Sequence, residues 1–161
     1  MVNGQAGLSL SQAPPLSVPL RFFLTAPCLA MAAGIGLIWM GPEALAARWT
    51  PGALALTHLL TLGVLTMVMA GAWFQMLPVL GGYAVPHPMP VAGGVHVLLT
   101  LGTLALAAGF VGGGYALALG TLGMGLGLFL AALGFTLWKA PVKHATVYAM
   151  GLSLAALLVT A

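Results

Sequence analysis

The sequence predicts an all-α, polytopic transmembrane helix bundle, and two observations carry that prediction. The 161 residues are 61% hydrophobic and only 3% charged, with a mean hydropathy of +1.14, and a soluble chain of this size would have too little polar surface to stay dissolved. Apolar runs also follow one another at span length, separated by short breaks of Gly, Pro and charge. About 20 apolar residues at 1.5 Å each cross a hydrocarbon core of about 30 Å.

Residues 1–20 contain Pro14, Pro15 and Pro19 but no basic cluster ahead of an apolar core. They read as an irregular surface leader rather than a cleaved signal peptide, and residues 21–161 as one transmembrane domain. Spans are expected over residues 22–40, 52–80, 91–111, 115–138 and 142–161. The last is only just long enough, so the count is five spans, or four and a partial fifth. Pro27 should kink the first helix, and Pro78 should bend or end the second.

The few charges orient the bundle. With the N-terminus inside, Arg21, Lys139 and Lys143 fall on the inner side, while Arg48 and Glu43 share the first outer loop, as the bias of basic residues toward the cytoplasm requires. A bacterial inner membrane suits this arrangement. Trp39 and Trp49 then flank the outer boundary and Trp73 and Trp138 lie toward the inner one, as interfacial anchors. Gly109 with Gly113, and Gly123 with Gly127, recur at four-residue spacing, reinforced by Gly102, Gly120, Gly125 and Gly134. Such glycines let backbones approach within one bundle, or between copies of it. The lone Cys28 cannot form an internal disulfide and reads as a small packing residue.

Composition also excludes functions. A calculated pI near 9.5 rests on four basic residues against Glu43 alone, which is loop charge and not a nucleic-acid surface. With one carboxylate there are no paired acids, and no phosphate-cradling glycine loop follows a strand. No catalytic residue is therefore assigned. Apart from Lys143 at the start of the last one, no Asp, Glu, Lys or Arg lies inside an expected span, which disfavours an ion or solute path.

What remains is histidine. His58 sits inside the apolar second span, where an imidazole needs a hydrogen-bond partner, a water-lined path or a metal. It lies seven residues after Pro51, roughly 10 Å below the outer surface. His96 lies six residues after Pro90, roughly 9 Å above the inner one. Across a core of about 30 Å they stand some 11 Å apart in depth, whereas two nitrogens on one metal are at most about 4 Å apart. They should not share an ion. His144 is near His96 in depth, so those two form an alternative inner site if their helices are neighbours. His87, in the loop Pro86-His87-Pro88-Met89-Pro90, reads as a solvated loop residue. Leu62, Leu65, Met69 and Met76 recur at helical spacing and offer an apolar wall, to a porphyrin or, more ordinarily, to the core. Thr57, Thr61 and the backbone are candidate acceptors for the second ring nitrogen of His58. Met40, at the outer end of the first span, lies on the same side of the membrane as His58 and is a weak candidate for a further ligand, a lone methionine being usually filler.

The stretch from His58-Leu-Leu-Thr-Leu-Gly63 through Met67, Gly71, Gln75, Met76, Leu77 and Pro78 resembles the second transmembrane helix of the haem-copper oxidase subunit I superfamily, above all its small or divergent members such as the haem- and copper-containing NnrS family linked to nitric oxide. That resemblance implies one role, His58 as an axial ligand of haem b. It does not extend further. The superfamily's partner axial histidine and its copper-binding histidines come from helices later than any here, so copper is not expected, nor is a complete terminal oxidase or nitric oxide reductase. The expectation is a membrane haem b protein that relays electrons or binds a diatomic gas, working as a homo-oligomer or as a subunit of a larger complex in the lipid bilayer. A cofactor-free structural accessory subunit is the alternative.

Overall fold

The computed structural model describes residues 8–142 and 144–160, and among these every regular element is helical. Five long helices follow: α1 Ser17–Met40, α2 Pro51–Gly81, α3 Pro88–Gly112, α4 Ala116–Lys139 and α5 Ala145–Thr160. The first four are long and apolar enough to span a membrane. At 16 residues, α5 reaches only about 24 Å, so the bundle has four full spans and a shorter fifth apolar helix.

Local chemistry sets the boundaries. Thr50 caps α2 by accepting the Ala53 N–H at 3.1 Å, and Pro51 takes the first helical position, where its missing N–H costs nothing. α2 runs through Pro78 and stops at Gly82, whose φ of +72° is left-handed and whose N–H bonds back to the Pro78 carbonyl at 2.9 Å. α1 starts at Ser17, so residues 17–20 are helix and not leader. Pro19 is no obstacle there, because the first-turn N–H groups of a helix have no intrahelical partner. The preceding residues are tied down: Ser9 N–H donates to the Val79 carbonyl at 2.9 Å, and Gln12 Oε1 accepts the Ala84 N–H at 3.1 Å. The leader's first seven residues, Lys143 and Ala161 lie outside the described residues.

α2 is the hub, in contact with every other span, whereas among the described residues α5 touches only α4 and α2. The outer part of α2, Pro51–Leu60, packs on α1 and α3, while Met67–Gly81 keeps contact with both and adds α4 and α5. Between them Thr61–Thr66 winds as a π-helix, and the Thr66 hydroxyl bonds to the Thr61 carbonyl five residues back at 3.0 Å. The buried residues Leu56 and Gly63, Gly63 and Ala70, and Met67 and Phe74 are seven apart, but Leu59 and Met67 are eight apart, across this turn. The wide turn absorbs the additional residue.

The large buried side chains gather at the end of the bundle that carries Arg21 and Lys139. Phe22 stacks on Phe74 at 5.6 Å between centroids, and Phe129 meets Phe74 edge-on at 5.8 Å. Trp73 also lies edge-on to Phe129, at 6.5 Å, and packs partly buried against this core. Trp39 and Trp138, by contrast, are 88% and 71% exposed, as anchors should be. Cys28 is exposed and does not pack in the core. At the other end the buried residues are mostly small, Ala33, Ala44, Ala53 and Ala55 among them.

The glycines divide sharply. A Cβ on Gly102 would lie 2.6 Å from Leu122 Cγ, and one on Gly125 3.1 Å from Leu98 Cβ, so these glycines close the α3–α4 hairpin. Gly113, Gly120, Gly123, Gly127 and Gly134 face nothing within 4 Å. Of the two predicted pairs, only Gly109 makes a close contact, with the Gly114 carbonyl and Tyr115.

Candidate functional site

His58 is half-buried near the start of α2. Its Nδ1 is 2.8 Å from the Leu54 carbonyl, one turn earlier. A carbonyl only accepts, so Nδ1 carries the proton, and in the neutral ring Nε2 is left with its lone pair. The hydroxyls of the flanking threonines are not the partners; Thr61 donates to the Thr57 carbonyl at 2.9 Å. The imidazole lies 4.9 Å from the Phe110 ring of α3, which in turn meets Tyr115 edge-on at 5.6 Å. A groove of about 440 Å³ lies between α1, α2 and α3 at this end of the bundle, lined by Ile35, Gly36, Met40, Leu59, Ala107 and Val111 among others but not by His58 or Phe110.

His96 sits on the other end of α3 in a different environment. Its Nε2 lies 2.7 Å from Thr25 Oγ1, and the same hydroxyl is 2.8 Å from the Arg21 carbonyl. Both contacts are hydrogen bonds if the threonine donates to the carbonyl and His96 Nε2–H donates to the threonine. Phe22 packs edge-on against the ring at 5.3 Å. Phe110, which touches His58, lies 14 residues further along α3, about 21 Å of helix rise. The two histidines are thus farther apart than the 11 Å expected, because α2 and α3 run 31 and 25 residues and exceed the hydrocarbon thickness on which that figure rested.

His144 precedes α5, where its carbonyl accepts the Tyr148 N–H at 3.1 Å. α5 and α3 make no contact among the described residues, so His96 and His144 are not brought together as an inner pair. Met40 Sδ packs where a Gly52 Cβ would be, at 3.0 Å. Gly52 precedes His58 by six residues, about 9 Å of helix rise, so the methionine is seated toward the start of α2 and not level with the imidazole. His87 is exposed, with a left-handed φ of +45°, in keeping with a loop residue. Leu65 and Met69 are each 60% exposed, which corrects the expectation of a core face; this side of α2 faces out of the bundle.

Two features escaped sequence reasoning. The cluster of Ser17, Arg21 and Thr25 against Met89 and His96 spans residues some 70 positions apart, though the four-residue spacing on α1 was there to be seen. Thr103 is fully buried and its hydroxyl has no partner; its methyl faces Gly63 in the π-turn, 3.4 Å from where a Cβ would lie. No group of three or more His, Cys, Asp or Glu side chains gathers among the described residues. The donor set at His58 is therefore a single imidazole nitrogen, which suits one axial position on a haem iron and not a metal held by side chains alone. No protein-family model, curated protein or solved structure matches the chain.

Proposed function

We propose that the chain is a haem b-binding membrane protein in which His58 Nε2 supplies one axial ligand, and that it relays electrons or binds a diatomic gas within an oligomer. One observation carries the reading: the Nδ1–H of His58 is spent on the Leu54 carbonyl, which fixes the tautomer and leaves Nε2 unprotonated in an apolar span. Second-shell bonds of this kind orient metal-bound histidines and raise their basicity. Haem bound there would supply a reversible one-electron centre.

The chain's own residues do the rest. The Leu54 carbonyl and the Phe110 ring hold the imidazole in place, and the small residues around Ala53 and Ala55 leave room at this end of the bundle. Met40 is seated toward the start of α2, so any further ligand to a haem bound at His58 would come from another copy, a partner chain or the gas itself. The deciding experiment is absorption spectroscopy of the protein purified from haem-replete cells. A Soret band is expected, lost in His58→Ala and retained in His96→Ala and His144→Ala; a colourless protein, or a band that survives His58→Ala, refutes the assignment.

The same hydrogen bond favours a second reading. An imidazole bonded to its own helix and packed on Phe110 is already partly satisfied, as in a cofactor-free accessory subunit. The open glycines of α4 would then serve contact with a larger complex. A colourless preparation that copurifies with other membrane chains is the outcome expected on that reading.

A further inference from the structure

One polar seam runs between α1 and α3 at the Arg21 end of the bundle, with Ser17 and Met89 exposed and Arg21, Thr25 and His96 partly buried. Ser17, Arg21 and Thr25 recur every four residues on α1, facing Met89, Gly93 and His96 on α3. Thr25 and His96 satisfy one another, but Arg21 does not find equivalent partners. Its Nε donates to the Ser17 carbonyl at 3.0 Å. Its Nη1 reaches the Met89 carbonyl only at 3.5 Å, and Nη2 has just the Met89 thioether at 3.8 Å. A guanidinium has five N–H donors, and a thioether is a weak acceptor. The Ser17 hydroxyl spends its proton on the same sulfur, at 3.2 Å.

No carboxylate pairs with the guanidinium among the described residues. The one carboxylate side chain in the sequence is Glu43, beyond the opposite end of α1, whose last residue Met40 is about 28 Å of helix rise from Arg21. Gly93 lets the guanidinium approach α3 closely: a Cβ there would come to 2.9 Å of Nη1. Next to it the surface is apolar: Leu24 and Val97, one turn deeper on the two helices, are 65% and 52% exposed.

We propose that this seam binds the phosphate of an anionic phospholipid in the leaflet at the Arg21 end, with its acyl chains along Leu24 and Val97. A phosphate oxygen pair matches the planar fork of arginine, and the Ser17 hydroxyl gains an oxygen acceptor in place of sulfur. A lipid, rather than free phosphate, is the source because the cation and the exposed apolar strip lie side by side at headgroup depth. The bound lipid adds to the contacts that already tie α1 to α3 at this end, Thr25 with His96 and Phe22 with His96.

Native mass spectrometry of the full chain in mild detergent tests this, with phosphatidylglycerol, phosphatidylcholine of the same acyl chains, and sodium phosphate as probes. Phosphatidylglycerol should be retained in preference to phosphatidylcholine. Retention should fall about fivefold in Arg21→Gln and remain unchanged in Lys139→Gln. Should Arg21→Gln fail to fold, Ser17→Ala reports on the same oxygen contact and should weaken retention while helix content by circular dichroism is preserved. Equal retention of the two lipids, loss in Lys139→Gln to the same degree as in Arg21→Gln, or displacement of phosphatidylglycerol by sodium phosphate at matched concentration would overturn the proposal, the last by identifying a soluble anion as the ligand.

Discussion

At the scale of single residues, the threonines are instructive. Thr25, Thr61, Thr100, Thr121 and Thr136 each return their hydroxyl to the carbonyl four residues earlier, which is how a hydroxyl survives in hydrocarbon without a partner helix. Thr103 does not, and its Oγ1 is buried without a partner. An unsatisfied hydroxyl costs about 1–3 kcal/mol, so replacing it with a methyl of the same shape should cost nothing. Thr103→Val is expected to raise the unfolding midpoint in detergent by about 1 kcal/mol of stability; a loss of stability would mean that a buried water or an unseen partner satisfies the hydroxyl. At His58 the residue-scale prediction concerns tautomer. With haem-replete protein, ¹⁵N resonances should show Nδ1 protonated and Nε2 not; an inverted pattern breaks the argument for Nε2 ligation.

At the scale of elements, the glycines on α3 and α4 make opposite predictions from identical chemistry. Gly102→Ala places a methyl 2.6 Å from Leu122 Cγ, and overpacking of this kind costs about 1–3 kcal/mol. Gly123→Ala and Gly127→Ala meet nothing within 4 Å, so the monomer should tolerate both, with a slight gain from helix propensity. Thermal unfolding of the three variants checks the contrast, and equal destabilisation would contradict the packing described. The π-turn of α2 belongs to this scale too. It lies between the outer half of α2, which packs on α1 and α3, and the inner half, which adds α4 and α5, so deleting one residue within Thr61–Thr66 should rotate the outer half by about 100° and remove His58 from Phe110. Loss of the Soret band in that deletion, with helix content kept, is the expected result.

For the whole molecule, the haem reading has a stoichiometric consequence. One imidazole per chain and a six-coordinate iron together require about one haem per two chains if the second ligand is the same histidine of another copy. Haem content and mass measured on one detergent preparation check this; a monomer carrying a full complement of six-coordinate haem would exclude it. In membranes apolar side chains gain nothing by leaving lipid for protein, so the bundle is held by close packing and internal hydrogen bonds. That explains a core concentrated around Phe22, Phe74 and Phe129, with large apolar residues such as Ile38 and Trp39 left outside.

Legibility follows from the same physics. Helix number, order and approximate ends could be read directly, since hydrocarbon thickness sets a length and Pro, Gly and charge mark the breaks. The place of His58 in α2 was equally plain. Which side of α2 turns inward was not: that span is apolar around most of its circumference, so Leu65 and Met69 look no different from Phe74 in sequence. Nor could depth alone say that α3 and α5 stand apart. The chain by itself determined a helical membrane bundle with one imidazole deep in its second span, because transfer of backbone and side chains into hydrocarbon depends on composition and length. Only the tertiary structure decided that the imidazole bonds to Leu54 and meets Phe110, that His96 joins Thr25 beside Arg21, and which glycines are filled, because those depend on the rotation of each helix about its own axis, which a largely apolar circumference leaves open.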